Sequence, residues 1–295
     1  MKIALTGATG FLGSHIVEQL VREGHEIILL KRSNSDVWRV KQFLDTCIAV
    51  DLDKTSLSSL FADHAIDTII HAATVYGRHD EKKETIYAAN YELPIKLLEL
   101  AIEHRVPWFI NIDTFFNKQI GPVGYLNHYV LSKRRFIEEG KEKVRKSNTK
   151  IINLVVEHMY GPKDAEDKFI PQVIKQLLTE QDVKLTEAKQ KRDFIFVKEV
   201  AGVISFLLDR LESIPFKDAF VTYEIGTGEC MPVREFVKLL KQATNSKSKL
   251  FFGAIPSRGK EMEESVADPA GLRALGWKSI YSREESMNRT IDSYR

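Results

Sequence analysis

The chain has 295 residues, of which 43% are apolar and 28% are charged, a balance typical of globular proteins and unlike that of disordered or fibrous ones. Its 43 basic and 41 acidic side chains leave a net charge of +2, which excludes the large positive excess of a nucleic-acid or membrane-surface protein. No apolar run is long enough to span a bilayer, and the N-terminus reads as strand and turn rather than as a signal peptide. The two isolated cysteines, Cys47 and Cys230, lack metal-like spacing and suit a reducing compartment. We therefore expect a soluble cytoplasmic protein without a metal site.

The first 160 residues alternate short β-branched runs with longer amphipathic stretches. The predicted strands are KIALTG, EIILL, CIAVDL, IDTIIHAA, PWFINI and KIINLVV. Helical spacing or helix-compatible polarity occupies 11–23, 36–44, 54–63, 84–104 and 126–147. This alternation predicts the doubly wound α/β class, a parallel sheet with helices on both faces. The near-continuous apolar strands are those expected when both faces of a sheet are covered.

The alternation breaks after residue 160. The polar connection YGPKDAEDKFIP leads to a helix near 168–179, and the scattered strand candidates that follow are DVKLTEA, RDFIFV, FVTYEI and KLFFGA. We predict a main domain over 1–162. Residues 163–295 are expected mainly to form a smaller C-terminal lobe, with part of 194–235 returning to the main domain.

A glycine-rich turn follows the first predicted strand. Glycines at three-residue intervals permit a tight turn, close approach of the backbone to a phosphate, and close packing of helix on strand. The amides of the helix N-terminus then face the pyrophosphate of a dinucleotide. The predicted contacts are Gly7, Thr9, Gly10, Phe11, Leu12 and Gly13.

The order of the later motifs resembles that of the extended short-chain dehydrogenases/reductases, the NAD(P)-dependent nucleotide-sugar epimerase/dehydratase family. Asp51-Leu52 resembles the pair that contacts adenine, His71-Ala72-Ala73 the segment that passes under the cofactor, and Asn90 the asparagine of the following helix. YGP, RDFIFV, GTGE and LGW recur later in family order, so the resemblance covers essentially the whole chain. It implies a Rossmann fold with a C-terminal substrate-binding lobe.

The end of the second strand carries Lys31, Arg32 and Ser33 where an acidic residue would hold the adenosine ribose. A guanidinium offers planar donors matched to phosphate oxygens, and a hydroxyl adds a short donor. We therefore favour NADP(H) over NAD(H). The alternative is that these are solvated residues of a turn.

Tyr129 and Lys133 are four residues apart and share one helix face. The ammonium is expected to lower the pKa of the tyrosine, so that Tyr129 can donate and recover a proton near neutral pH. The resemblance implies that Lys133 also holds the nicotinamide ribose, and that the hydroxyl of Thr114, which ends the fifth strand, hydrogen-bonds the reacting oxygen. Asp113, one residue before the matched position, is expected to have a structural or supporting role.

Phe115 and Phe116 stand where the 4,6-dehydratase branch of the family has an Asp-Glu pair. Aromatic rings do no acid–base chemistry, so we expect no dehydration. The two rings are expected to line an apolar pocket for a deoxy sugar, or else to pack in the core.

Three residues of the second half are candidates for binding the nucleotide diphosphate. Arg192 and Arg258 match family arginines, whose permanently charged bidentate donors suit a diphosphate, while His158 is either a further donor or a packing residue of its loop. EHMYGP, KFIP and DTFF together resemble a narrower branch, the synthases that reduce CDP-4-keto-3,6-dideoxy sugars to abequose or paratose.

The leading hypothesis is an NADPH-dependent reductase of a nucleotide-linked 4-keto-deoxy sugar, with Tyr129 as proton donor. The first alternative is a nucleotide-sugar epimerase that keeps its cofactor, and the second is a non-catalytic dinucleotide sensor. The resemblance also implies a homodimer through helices 84–104 and 126–147, to which Leu97, Leu98, Ala101 and Ile102 supply apolar positions. The alternative is that these faces only cover the sheet.

Overall fold

The computed structural model describes residues 1–119, 126–257 and 262–295. In chain order the strands are β1 (Lys2–Thr6), β2 (Glu26–Lys31), β3 (Ile48–Asp51), β4 (Thr68–His71), β5 (Trp108–Thr114), β6 (Lys150–Val156), β7 (His158–Tyr160), β8 (Val183–Leu185), β9 (Lys191–Arg192), β10 (Phe194–Phe196), β11 (Phe220–Ile225), β12 (Met231–Pro232), β13 (Leu250–Phe252) and β14 (Glu264–Ser265). The helices are α1 (Phe11–Arg22), α2 (Leu57–Asp63), α3 (Lys83–Tyr87), α4 (Leu93–Glu103), α5 (Asn127–Val144), α6 (Phe169–Leu178), α7 (Val197–Leu208), α8 (Val233–Thr244), α9 (Ala270–Ala274) and α10 (Arg283–Asp292).

The chain divides into two compact units. The first comprises Met1–Val155 and Ala201–Tyr223, and the second comprises Val156–Val200 and Glu224–Arg295. None of the helices in the described ranges is both long and apolar enough to cross a membrane.

A seven-stranded sheet organises the first unit, in the order β11-β6-β5-β4-β1-β2-β3. β1 pairs in parallel with both β2 and β4, and the strand order reverses at this point. In doubly wound sheets a ligand binds outside the carboxyl ends of the strands at such a reversal. The predicted fold class is confirmed, and the reversal lies where β1 leads into Gly7 and β4 into Ala72.

Helices cover the sheet because each buries one apolar face. α1 buries Leu12, Ile16, Val17 and Leu20. Leu97, Leu98 and Ala101 of α4 are fully buried in the core that also contains Phe136 of α5. These three apolar positions of α4 therefore pack inside the chain itself.

Two predicted helices differ from the structure. Residues 36–44 do not form an α-helix; this region contains turns and a 3₁₀ helix over Lys41–Thr46, of which only Phe43 is buried. The helix predicted over 54–63 begins only at Leu57 and is capped by Ser56. The amides of Lys54 and Thr55 instead donate hydrogen bonds to the Asp51 carbonyl in a turn.

The second unit has its own core between α6, α8 and α10, in which the Phe194 and Phe236 rings stack at 3.8 Å. Short strand pairs surround it, with β7 parallel to β10 and β8 parallel to β13. Two buried carboxylates hold its loops. Asp193 accepts hydrogen bonds from the Thr227 amide and hydroxyl, the Gly228 amide and the Ala267 amide, and Glu199 accepts them from the Ser279 hydroxyl and the amides of Ile280 and Tyr281.

Candidate active site

The glycine-rich turn leaves no room for side chains. Gly7 has φ +67°, and a Cβ there would lie 2.5 Å from the Ala73 amide nitrogen; at Gly13 it would lie 2.0 Å from the Gly7 carbonyl oxygen. α1 begins directly after Gly10 without a side-chain cap or an acidic residue in its first turn. These features fit a dinucleotide phosphate, because they bring bare backbone and a helix N-terminus to one place. Gly7, Thr9, Gly10, Phe11, Leu12 and Gly13 would therefore hold the pyrophosphate.

The segment His71-Ala72-Ala73 is fixed to the end of β1. The Thr6 hydroxyl hydrogen-bonds His71 Nδ1 at 2.9 Å and accepts from the Ala73 amide at 3.2 Å. Burial lowers the pKa of His71 to about 3, so its imidazole is neutral. The histidine thus helps hold the backbone that lies against Gly7.

Two carboxylates lie beside the predicted cofactor-selecting residues. The Ser33 hydroxyl donates to Asp51 at 2.7 Å, and the Ser33 amide donates to Asp53 at 2.8 Å. The hydrogen bond from Ser33 is the main cause of a lowered pKa at Asp51, and Lys31, the residue opposite Asp51 on β2, contributes. Arg32 is exposed, and its amide donates to Ser35. The Ser33 hydroxyl therefore donates its hydrogen bond to Asp51, a contact that the sequence did not predict.

Asn90 links the loop after β4 to α5. It lies in a single π turn over Ala88–Glu92, the kind of helix irregularity found at functional sites. Its oxygen accepts from the Val75 amide and the Thr74 hydroxyl, and its nitrogen donates to the Val75 carbonyl and the Ser132 hydroxyl. The full hydrogen-bonding capacity of the amide is used inside the chain, so Asn90 supports the site rather than offering a free group to a cofactor.

Thr114, Tyr129 and Lys133 come together at the carboxyl end of β5, and all three are buried. The Thr114 side chain hydrogen-bonds the Tyr129 phenol. Lys133 Nζ donates to the Ile112 carbonyl at 2.8 Å and lies 5.8 Å from the centroid of the Tyr129 ring. A hydroxyl, a phenol and an ammonium in this arrangement can bind an oxygen and supply it with a proton.

The expected lowering of the Tyr129 pKa is wrong. Burial raises the pKa of Tyr129 well above its ordinary value, nearby Tyr76 and Asp113 raise it further, and Thr114 and Arg78 only partly oppose them. Burial also lowers the pKa of Lys133 to about 8, against the attraction of Asp113. Because desolvation is the largest effect, the Tyr129 phenol is protonated at neutral pH.

Aromatic groups surround Tyr129, and Tyr76 is the one among them that the sequence did not single out. The Tyr76 ring packs on that of Tyr129 at 4.9 Å, and the Arg78 guanidinium lies 4.9 Å from the centroid of Tyr76 on a loop after β4. Phe116 packs against the same cluster and lies 4.2 Å from the buried ring of Phe115. Only the position of this loop, after a strand ending at the sheet reversal, could have indicated Tyr76.

Two of the predicted diphosphate-binding residues, His158 and Arg192, belong to the second unit. The His158 amide donates to the Asp193 carbonyl at 3.1 Å, and the His158 ring packs edge-on against Phe194. Arg192 is buried, and its Nη1 donates to the Lys191 carbonyl at 2.7 Å. Arg258 lies outside the described residues.

Comparison with known proteins gives a consistent result. The model of the "NAD dependent epimerase/dehydratase family" matches residues 3–226. CDP-abequose synthase of Salmonella muenchen is 35% identical over 291 residues, which is 98% of this chain and 97% of the relative. The UDP-glucose 4-epimerase of Thermotoga maritima, solved with UDP-glucose, superposes with a TM-score of 0.85 at 20% identity over 100% of this chain and 98% of that one. The UDP-glucose 4-epimerase of Thermus thermophilus, solved with NAD, gives a TM-score of 0.81 at 22% identity over 100% of this chain and 99% of that one.

Proposed function

Because the chain belongs to the NAD dependent epimerase/dehydratase family of NAD(P)-dependent nucleotide-sugar enzymes, we propose that it reduces a nucleotide-linked 4-keto-deoxy sugar with NADPH, as an abequose- or paratose-type synthase. The observation that carries the proposal is the buried cluster of Thr114, Tyr129 and Lys133. The 35% identity to a CDP-abequose synthase over nearly the whole chain supports this substrate class.

Each side chain of the cluster has a defined role in the proposed reduction. A nicotinamide cofactor, when bound, would supply the hydride for C4 of the sugar. Thr114 orients the carbonyl oxygen, Tyr129 gives that oxygen its proton as negative charge develops, and Lys133 holds the cofactor ribose and supports the tyrosine. The raised pKa of Tyr129 suits this direction, since the phenol is in its proton-donating form when the ketone arrives.

The neighbouring aromatic residues support reduction rather than dehydration. Loss of water needs an acid and a base beside Thr114, whereas Phe115 and Phe116 place two apolar rings there, packed against each other at 4.2 Å. Tyr76 extends the apolar surface around Tyr129. Such a wall suits a sugar carbon that has lost its hydroxyl.

NADP(H) is proposed as the cofactor on the strength of Lys31 and Arg32, whose charges suit a 2′-phosphate. The carboxylates of Asp51 and Asp53 beside Ser33 favour the second candidate, an epimerase that retains NAD, because a carboxylate accepts hydrogen bonds from ribose hydroxyls. The two candidates differ in whether the nucleotide is consumed.

We further propose that the second unit binds the substrate, with His158, Arg192 and Arg258 directed to the nucleotide diphosphate. A homodimer through the helical segments 84–104 and 126–147 is proposed from the family resemblance. The free thiols of Cys47 and Cys230 support a cytoplasmic location.

The proposal is tested by offering the purified chain CDP-, dTDP-, GDP- and UDP-linked 4-keto-deoxy sugars with NADPH and following NADPH absorbance. We expect one nucleotide series to be reduced, and Tyr129→Phe to lower kcat by about 10²- to 10⁴-fold because the proton donor is lost. Tyr91→Phe is the matched control, since the Tyr91 hydroxyl bonds Glu139 away from the cluster. Unchanged turnover in Tyr129→Phe would contradict the proposed role.

A further inference from the structure

A chain of polar side chains runs through the first unit beside Lys133. The Asn111 amide donates to Asn153 at 2.6 Å, and the Asn153 amide donates to Asp113 Oδ2 at 3.2 Å. The Asn117 amide donates to the other oxygen, Asp113 Oδ1, at 2.6 Å. Asn111, Asn153 and Asp113 are all deeply buried, with exposures of 2%, 2% and 4%.

This arrangement is built for a charged carboxylate. Both oxygens of Asp113 accept from side-chain amides, and the Thr114 amide donates to the same group. Burial raises the pKa of Asp113 above its ordinary value, although these donors and Lys133 oppose the rise. A buried charge without such partners would be strongly destabilising. The side-chain amides and the Lys133 ammonium offset that cost for an ionised Asp113.

Lys133 is held against the same strand. Its Nζ donates to the carbonyl of Ile112, the residue before Asp113. The ionisable groups that face it are Asp113 on β5, His71 on β4 and Tyr129 on its own helix. His71 is neutral, and Arg134, the next residue of α5, donates to Asn117 and the Gln119 carbonyl. Asp113 therefore supplies the negative charge that favours the lysine cation.

We propose that Asp113 is a positioning residue that acts through its two neighbours: its carboxylate keeps Lys133 a cation and Tyr129 a neutral phenol, the states in which the pair can deliver a proton. One negative charge favours the protonated form of both groups. The catalytic consequence rests on the proposed reductase function, whereas the effect on Lys133 does not. The amide chain through Asn117, Asn153 and Asn111 holds the carboxylate in place.

The direct test is an NMR titration of the Lys133 Cε signal, assigned with Lys133→Arg. Asp113→Asn removes the charge with little change of shape, and we expect the Lys133 midpoint to fall from about 8 by about one pH unit or more. In the kcat–pH profile, the alkaline pH at which kcat falls should decrease by the same number of pH units, with a smaller change in KM. Asp113→Glu, which keeps the charge, should restore that pH.

Asn117→Ala is the matched control, because it removes one hydrogen bond from Asp113 and leaves the charge. We expect it to leave the Lys133 midpoint in place. An unmoved midpoint in folded Asp113→Asn, or an equal shift in both variants, would overturn the proposal in favour of a purely structural role. If Asp113→Asn does not fold, titration of the Asp113 carboxyl signal in the unaltered chain decides: a carboxylate at neutral pH supports the proposal, and a protonated carboxyl overturns it.

The two proposals fail separately. The Lys133 titration needs no substrate, so it is informative even if no nucleotide sugar is reduced. A lowered Lys133 midpoint in Asp113→Asn without reductase activity would support the effect of Asp113 on Lys133 and refute the proposed reaction.

Discussion

His71 illustrates how a single buried group ties cofactor binding to stability. The imidazole is 1% exposed at the end of β4, and its Nε2 has no hydrogen-bond partner among the described residues. Its Nδ1 shares the Thr6 hydroxyl with the Ala73 amide, which lies where a Gly7 Cβ would be. Protonating this ring would bury an unpaired charge, so the backbone under the proposed cofactor site depends on its remaining neutral.

For this single residue we predict that the folded chain loses stability at acid pH. The folded-state pKa of His71 is about 3, below the ordinary value of 6.5, so the unfolded chain binds the extra proton between these values. The free energy of unfolding should therefore fall as pH drops through that window, by up to roughly 5 kcal/mol from this group. Urea denaturation at a series of pH values should show a smaller loss in His71→Gln. Exposed His104→Gln is the control, and an unchanged acid slope in His71→Gln would refute the assignment.

The π turn over Ala88–Glu92 is the element that joins the loop after β4 to α5. Through Asn90 it fixes Thr74 and Val75, just before Tyr76, and Ser132, one turn from Tyr129. The Ser132 hydroxyl in turn donates to the Tyr129 carbonyl. The packing of Tyr76 on Tyr129 thus depends on one buried amide.

We predict that Asn90→Ala lowers the free energy of unfolding by about 2–3 kcal/mol, because it strands the amide and carbonyl of Val75 without partners. Misplacement of Tyr76 and Tyr129 should also reduce kcat. Asn288→Ala on the exposed face of α10 is the control and should stay within about 0.5 kcal/mol of the parent. Equal urea midpoints for Asn90→Ala and the parent would show that the amide network is not needed.

At the scale of the whole molecule, the features that could be predicted from the sequence are those that produce a repeated pattern of apolar residues. The family match confirms the resemblance, and all six strands predicted in the first 160 residues are present, because a sheet covered on both faces produces continuous apolar runs. The helix predicted at 36–44 failed because Val40 and Phe43 are the only positions buried there, too few to hold an α-helix.

The site was predictable where position along the fold determines it. Tyr129 and Lys133 share a helix face by spacing alone, and the structure brings Thr114 to them. The contact between Ser33 and Asp51 and the amide chain to Asp113 could not be read from the sequence. Both depend on which side chains of neighbouring strands meet, which spacing along one segment does not reveal.

The molecule as a whole is proposed to act as a reductase, and the most direct test of that function is the ratio of NADPH oxidised to sugar product formed. With the nucleotide 4-keto sugar that the chain accepts, we predict one NADPH consumed for each molecule of product. We also predict slower turnover with NADH, because the positive charges of Lys31 and Arg32 suit a 2′-phosphate. The measurement compares NADPH absorbance with chromatographic quantification of the sugar nucleotides. Conversion of a nucleotide sugar with no net loss of NADPH would contradict the reductase function and identify an epimerase.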